Sequence, residues 1–269
     1  MYKDVNNFFD HWPRIKETLK EKEIFLFLDY DGTLAPLVDH PMHAVMPPDT
    51  KKILYRLSRN KHCHVAIVSG RALNDLKERI GLENIIYVGN HGFEISGPNI
   101  CFENNDFSQS RKIFDYIIEE LREVLTSMPA VFIEDKEITL SIHVRRLEAD
   151  MKPVFEKSLH KIIGPYVHLK NIHLYEGKEV YELRPMIEWD KGKASLWLLK
   201  ERAAHRMVSI YIGDDRTDED AFNALKDSAI TIRVGGGQTA AHYYLDSPDD
   251  VQMLLAKILF LKTNQKKTP

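Results

Sequence analysis

The stretch Ile24-Phe25-Leu26-Phe27-Leu28-Asp29-Tyr30-Asp31-Gly32-Thr33 decides how this chain is read. Its first five residues form a short continuous apolar run, the pattern of a strand buried on both faces. The run stops at two acidic residues and a glycine. Residues two apart on an extended segment point the same way, so Asp29 and Asp31 face one site. Gly32 lets the backbone turn away, and in open α/β sheets ligands bind at the carboxyl ends of the strands. Two carboxylates in one place take a hard cation such as Mg²⁺ readily, although Asp-Gly is also an ordinary turn pair.

The same grammar continues on both sides of this strand. Residues 50–59 have helical spacing, with Ile53, Leu54 and Leu57 on one side. Residues 64–68 (HVAIV) are a second apolar strand closed by Ser69-Gly70, followed by a helix over Leu73–Ile80 and a third strand at 85–88. Apolar strands alternating with helices predict a parallel sheet covered on both faces. The pattern changes at Asn104-Asn105-Asp106. Residues 111–125 then carry an amphipathic stripe of Phe114, Ile117, Ile118, Leu121 and Leu125. Residues 138–144 alternate, with Ile138, Leu140, Ile142 and Val144 on one face and Thr139, Ser141 and His143, then Arg145, on the other. Such alternation marks a sheet with one buried face. A helix at 154–163, with Pro153 tolerable in its first turn, precedes strands at 172–175 and 179–184, joined by a turn at Glu176-Gly177-Lys178.

Parallel-sheet grammar returns after Pro185. A helix at 193–202, a strand at 208–212, a helix at 219–225 and a strand at 230–234 lead to Gly235-Gly236-Gly237. A closing helix at 251–261 ends in a tail, 262–269, expected to fray. The fold class is therefore α/β: a Rossmann-like, doubly wound parallel sheet core built from residues 1–106 and 186–269. An α+β cap at 107–185 is inserted in its middle.

Composition bounds the partners. The chain has 269 residues, 43% hydrophobic and 29% charged, as expected of a globular protein. A formal net charge of -3 excludes the basic surplus of a nucleic-acid binder. Two cysteines, Cys63 and Cys101, are too few for a disulfide framework. No apolar signal core opens the chain and no stretch nears the roughly 20 apolar residues of a membrane span, so a cytoplasmic location with no membrane partner is expected by elimination.

Three further segments carry chemistry. Residues 210–215 (IYIGDD) repeat the opening theme of strand, glycine and two carboxylates, Asp214 and Asp215. Thr217 to Asp220 reads as a capping box with Thr217 at the N-cap, which explains Asp218, Glu219 and Asp220 but not the earlier pair. A second acidic strand end in the same sheet points to a shared metal site. Val68-Ser69-Gly70-Arg71 ends a strand and opens a helix, where a hydroxyl and free N–H groups suit a phosphate, or simply an N-cap. Lys191, in Trp189-Asp190-Lys191-Gly192-Lys193, also stands at a helix start, where an ammonium suits an anion already held by a metal.

In this order the four segments resemble the haloacid dehalogenase superfamily of phosphatases: the DxDGT motif, the strand-terminal serine, the lysine and the late acidic pair. The insertion between serine and lysine corresponds to that superfamily's larger type of cap. A narrower resemblance, over roughly residues 25–255, is to the trehalose-6-phosphate phosphatases. It is carried by residues 29–34 (DYDGTL), Ser69-Gly70-Arg71, residues 89–94 (GNHGFE), and Glu134 and Lys136 with His143 and Arg145. Glu182-Leu183-Arg184-Pro185, residues 190–194 (DKGKA) and residues 213–220 (GDDRTDED) complete it.

The resemblance implies an Mg²⁺-dependent phosphoric monoester hydrolase. Asp29 would attack phosphorus, and Asp31 would serve as general acid and then general base. Mg²⁺ would be held by Asp29, the main-chain carbonyl of Asp31, and Asp214, with Asp215 and Asp218 orienting its waters or the lysine. Ser69 and Lys191 would bind the phosphoryl oxygens. Arg71, Asn90, His91 and Glu94 would lie near the phosphate end of the substrate. On the cap, Glu134, Lys136, His143, Arg145, Glu182 and Arg184 would offer groups for a sugar's hydroxyls, and closure about hinges near Asp106 and Arg184 would exclude water. A small sugar phosphate is thus the expected partner, and the resemblance also allows a functional link to a sugar-phosphate synthase. Two other readings remain open on sequence: a phosphatase for another sugar or glycosyl phosphate, such as mannosyl-3-phosphoglycerate, and an idle sugar-phosphate sensor.

Overall fold

The computed structural model describes residues 5–38, 41–103, 107–177, 179–202 and 204–264. The chain begins with β1 (Asn6–Asn7), α1 (Phe8–Glu21), β2 (Ile24–Leu28), α2 (Pro48–Ser58), β3 (Cys63–Val68), α3 (Leu73–Ile80), β4 (Ile86–Gly89), β5 (Glu94–Gly97) and β6 (Ile100–Glu103). There follow α4 (Ser108–Thr126), β7 (Phe132–Asp135), β8 (Leu140–His143), α5 (Lys152–His168), β9 (Ile172–Gly177) and β10 (Val180–Pro185). The last part holds α6 (Lys191–Glu201), β11 (Val208–Gly213), α7 (Arg216–Ala224), β12 (Ile230–Val234), β13 (Tyr243–Leu245) and α8 (Pro248–Asn264). Two compact units result: Met1–Glu103 with Trp189–Pro269, and Asn104–Glu188.

The larger unit is one nine-stranded sheet ordered β1-β13-β12-β11-β2-β3-β4-β5-β6. Every pairing from β1 to β4 is parallel, and only β4–β5 and β5–β6 are antiparallel. Strand β2 is the switch point, because the chain builds outward through β3 and β4 on one side and through β11, β12 and β13 on the other. The crevice of such a sheet opens at the carboxyl end of that strand, where Asp29 stands.

Burial explains why IFLFL occupies the centre. Ile24, Leu26 and Leu28 pack into one cluster with Phe8, Leu54, Leu76 and Leu254, from α1, α2, α3 and α8. Phe25 and Phe27 point the other way, against Ala194, Leu198, Ala221 and Phe222 of α6 and α7. All five strand residues are 0% exposed, and each such side chain contributes about 1.5–3 kcal/mol by leaving water. A strand covered on both faces cannot alternate with polar residues, which is why this run is unbroken.

The smaller unit is a four-stranded antiparallel sheet, β7-β8-β10-β9. Its helices α4 and α5 cover one face through Phe114, Ile117, Leu121, Phe155 and Leu159, packed on Leu140, Ile142 and Leu183. Here the sequence pattern overstates a strand. Regular pairing starts only at Leu140, because Lys136 and Thr139 join by a backbone hydrogen bond across a turn in which Glu137 has a φ of 67°. Thr139, expected on the wet face, is 0% exposed.

Helix α1, the β5–β6 hairpin, β7 and β13 have no counterpart in the sequence reading. Strands of three or four residues are too short for a period to show, and α1 carries a proline, Pro13, inside it. Helix α8 runs past Leu261, where the sequence pattern ends it. Residues 262–264 complete α8, and Lys262 is 2% exposed with its ammonium donating to the carbonyls of Leu19 and Lys22. The expected boundary and hinge at Asp106, the turn residue Lys178 and the tail residues 265–269 lie outside the described residues. Among the described residues no helix is long and apolar enough to cross a membrane.

Candidate active site

Four segments of the larger unit meet at the carboxyl ends of β2, β3, β4 and β11. The β2 end turns sharply: Leu34 and Ala35 N–H groups both donate to the carbonyl of Tyr30, and Gly32 N–H to Ala35. Gly32 has a φ of 80°, and a Cβ there would fall 2.1 Å from the Asp214 carboxylate. Glycine is therefore required twice, by the left-handed backbone and by the approach of β11's acidic end. Beneath it the close approach alone demands glycine, since a Cβ on Gly213 would meet the Asp218 carboxylate at 2.3 Å.

These close approaches bring together Asp29, Asp214 and Asp218, each offering an oxygen within 4.8 Å of the others. Lys191, at the first turn of α6 behind the N-cap Asp190, reaches into the group and donates to Asp29 Oδ1 and Asp218 Oδ1, both at 2.8 Å. Asp29, Lys191 and Asp218 are 4%, 2% and 0% exposed. Burial pushes the Asp29 carboxyl well above the usual range; the lysine opposes this, and the charges of Asp218 and Asp214 add to it. Burial first, then the Asp218 charge, push Asp214 up to about 7. One ammonium thus faces two buried carboxylates and a third, Asp214, that is half-buried, an excess of negative charge that a hard, oxygen-preferring dication fits.

Asp218 is the hub. Besides Lys191 it accepts the Tyr211 hydroxyl at 2.8 Å and the backbone N–H groups of Asp214 and Asp215 at 3.1 and 3.0 Å. Sequence reasoning misses Tyr211, because a strand apolar on both faces conceals which side chain is meant for a polar partner. The tyrosine faces α6 and α7, so its hydroxyl reaches the start of α7. The cap of α7 also differs from expectation: Asp215, two residues before the expected Thr217, is the N-cap, paired reciprocally with Asp218. Asp215 is exposed, accepts Arg216 N–H at 2.6 Å, and is not in the acidic trio.

Asp31 turns to a different partner. Arg71 Nε and Nη2 donate to its two oxygens at 2.7 and 2.6 Å, while Arg71 Nη1 donates to Asp75 at 2.9 Å. Arg79 holds Asp75 in turn, at 2.8 Å. Neither Asp75 nor Arg79 figures in the sequence motifs, but their i, i+4 spacing on α3 is visible in hindsight. Ser69, 1% exposed, accepts the Arg71 N–H at 3.2 Å. It does not cap a helix, since α3 starts at Leu73 with Ala72 as N-cap. The Gly-Asn-His-Gly-Phe-Glu turn docks on this loop through Asn90 N–H to Arg71 carbonyl and His91 N–H to Ser69 carbonyl, at 2.7 and 3.0 Å. Asn90 and His91 both have left-handed backbones, φ 47° and 58°, and Asn90 donates to Glu94 at 2.6 Å.

Within the smaller unit, Glu134, Ser141, Glu182 and Tyr175 stand in one cross-strand row, on the face that α4 and α5 leave uncovered. His143 Nε2 lies 2.9 Å from Glu134. Glu182 accepts from Lys136 at 3.5 Å and from Arg184 Nε at 3.0 Å, and the Arg184 guanidinium lies 4.3 Å from the Tyr175 ring centre. Arg145 is exposed, two residues past the end of β8.

The trehalose-phosphatase family model matches residues 27–249. A probable trehalose-phosphate phosphatase 3 of Oryza sativa subsp. japonica is 34% identical over 92% of this chain and 72% of its own length. The Zea mays trehalose 6-phosphate phosphatase RA3 is 35% identical over 89% of this chain and 70% of its own. Among solved structures, a trehalose-6-phosphate phosphatase related protein superimposes with a TM-score of 0.78 at 29% identity, covering 90% of this chain and all of the other. Such relatives make the chain a phosphoric monoester hydrolase of the haloacid dehalogenase type. By its matched length and its relatives, this chain belongs to the trehalose-phosphatase family.

Proposed function

We propose that the chain hydrolyses trehalose 6-phosphate to trehalose and phosphate through an aspartyl-phosphate on Asp29, with Mg²⁺ as its cofactor. The observation that carries this reading is the buried Lys191 ammonium, 2.8 Å from both Asp29 and Asp218, with Asp214 completing an acidic trio. Asp29 and Asp214 would hold the cation together with the Asp31 carbonyl, and bound there it would neutralise charge on the phosphoryl oxygens. Lys191 and the Ser69 hydroxyl would meet the remaining phosphoryl charge as it spreads in the transition state.

In the first step an Asp29 oxygen attacks phosphorus, and the bond from phosphorus to the sugar oxygen breaks as Asp31 gives that oxygen a proton. In the second, Asp31 takes a proton from water, which attacks phosphorus and releases Asp29. Arg71 orients Asp31 for both, giving up one guanidinium bond while the carboxyl carries its proton. Asp218 keeps Lys191 aimed and ionised, and so acts through it. Asn90, His91 and Glu94 would line the phosphate end. On the cap, Glu134, Lys136, His143, Arg145, Glu182 and Arg184 would hydrogen-bond the disaccharide's hydroxyls, the kind of polar site that rejects an analogue lacking them. A sugar-phosphate synthase would supply the substrate.

The test is phosphate release from a panel containing trehalose 6-phosphate, glucose 6-phosphate and mannosyl-3-phosphoglycerate, with Mg²⁺ and with chelator. Mg²⁺-dependent release with kcat/KM for trehalose 6-phosphate at least 100-fold above the others is expected. Equal rates across the panel would remove the account of the cap and leave the hydrolase.

A further inference from the structure

We propose that the concavity between the ends of α2 and α8 is a second anion site, fitted to a small molecule carrying two or more negative charges. It has a volume of about 720 Å³ and is lined by Tyr55, Arg56, Arg59, Lys61, His62 and Lys262 among others. It lies at the amino end of β3, just before Cys63, whereas Ser69 follows the carboxyl end. The six residues of β3 separate the two, roughly 20 Å of extended chain. Nothing in it belongs to the catalytic machinery, and the proposal does not depend on the substrate.

Three observations converge on an anion. First, among the described residues Arg56, Arg59 and Lys61 form no ion pair, unlike nearby Lys52, which pairs with Asp49 at 2.9 Å. Second, Lys262 lines the cavity although it is only 2% exposed. Its ammonium donates to the carbonyls of Leu19 and Lys22, which fixes it in place. An ammonium has three N–H donors, and the third has no acceptor among the described residues. Third, the Arg59 guanidinium sits 5.5 Å from the Tyr55 ring centre, so its plane is supported before any ligand arrives.

Magnitudes decide against the plainer reading, that these cations serve helix C-termini. The ends of α2 and α8 each present about half a negative charge. Arg56, Arg59, Lys61 and Lys262 bring four positive charges; the end of α1, on which Lys262 sits, and the nearby Glu23 carboxylate offset more of this, so roughly one to two remain uncompensated. The whole chain is -3, so this is a local concentration rather than a general basic surface. A single carboxylate would leave part of that charge unmatched. A phosphate monoester, free phosphate or a polycarboxylate would not, and Tyr55 and Leu259 give an apolar wall for the body of such a molecule.

The experiment uses the full chain with chelator present, titrated calorimetrically with inorganic phosphate and, separately, with citrate. Wild type and Arg59→Ala/Lys61→Ala are compared; both substituted side chains are exposed, so the fold should persist, and hydrolysis of a small aryl phosphate should stay within twofold of wild type. Saturable binding of at least one probe is expected, with Kd rising at least tenfold in the double variant. Tighter phosphate binding would assign the site to phosphate-bearing ligands, and tighter citrate binding to polycarboxylates. No binding of either probe, or a rise smaller than tenfold, overturns the proposal. A crystal soaked in tungstate should show its anomalous peak between α2 and α8; a peak confined to the Lys191 region would also overturn it.

Discussion

Arg71 holds both carboxylate oxygens of Asp31, at 2.7 and 2.6 Å, across 40 residues of chain. The arginine of the Ser-Gly-Arg turn thus addresses the second aspartate of the opening motif rather than the open crevice. Its third nitrogen is braced by Asp75, and its guanidinium carbon lies 5.3 Å from the Tyr30 ring centre. Resemblance places this residue near the substrate's phosphate; its bonds here fit a positioning residue for the proposed proton-transfer group, Asp31.

Substituting Arg71→Lys should therefore reduce activity in a leaving-group-dependent way. Loss of a well-placed acid matters only where the departing oxygen needs a proton. For trehalose 6-phosphate kcat/KM should fall about 100-fold. For p-nitrophenyl phosphate, whose leaving group needs no proton, the fall should stay under about tenfold. Equal losses on both substrates would show that Arg71 serves the phosphate or the fold instead.

The Asp218 hub makes a graded prediction. Tyr211→Phe removes one of four donors and should cost about 1 kcal/mol of stability, with Lys191 still held. Asp218→Ala strips Lys191 of one of its two carboxylates inside the protein and should cost about 3–5 kcal/mol, with turnover largely lost. Urea unfolding of the two variants measures both effects. A Tyr211→Phe loss as large as that of Asp218→Ala would contradict this ordering.

Acidity near Asp214 predicts how pH and metal interact. Its folded value of about 7 lies above the usual 3.8, mainly because it is buried and faces Asp218. Between those values the native state keeps a proton that the unfolded chain has lost. Metal-free stability from this group should accordingly fall as pH rises from about 4 to 7, and Asp214→Asn should flatten that slope. Since a cation must displace the proton, Mg²⁺ should raise Tm more at pH 8 than at pH 5.5. Thermal melts of both proteins with Mg²⁺ and with chelator test this; an unchanged slope in Asp214→Asn would refute the assignment.

Glu182, in the cross-strand row of the smaller unit, offers a test that separates recognition from chemistry. Glu182→Gln removes the charge that holds Lys136 and Arg184, so kcat/KM for trehalose 6-phosphate should drop about 100-fold while p-nitrophenyl phosphate hydrolysis changes less than about threefold. Parallel losses on both would place Glu182 among the groups that serve the cap's folding.

Much of this was legible in the sequence because burial leaves a plain signature. The two-faced strand at 24–28, the closing helices and the acidic ends at Asp29 and Asp214 follow from apolar runs that stop at carboxylates. Partnerships within the site were not legible. Whether Arg71 meets substrate or Asp31, and whether Asp215 or Thr217 caps α7, depends on side-chain directions set by the turn at Gly32 and the close approach at Gly213. Tyr211 looks like core until the pleat shows which helix it faces. Lys262, at the start of an apparently polar tail, is buried because the carbonyls ending α1 need a donor.

The central claim, covalent catalysis by Asp29, is tested most directly by trapping. In Asp31→Asn, p-nitrophenyl phosphate can still phosphorylate Asp29, because its leaving group needs no proton, but water lacks its base. A burst of p-nitrophenol stoichiometric with enzyme, and conversion of Asp29 to homoserine when borohydride reduces the acyl phosphate with loss of phosphate, is the predicted result. Steady release without a burst, and no modification at Asp29, would contradict the account.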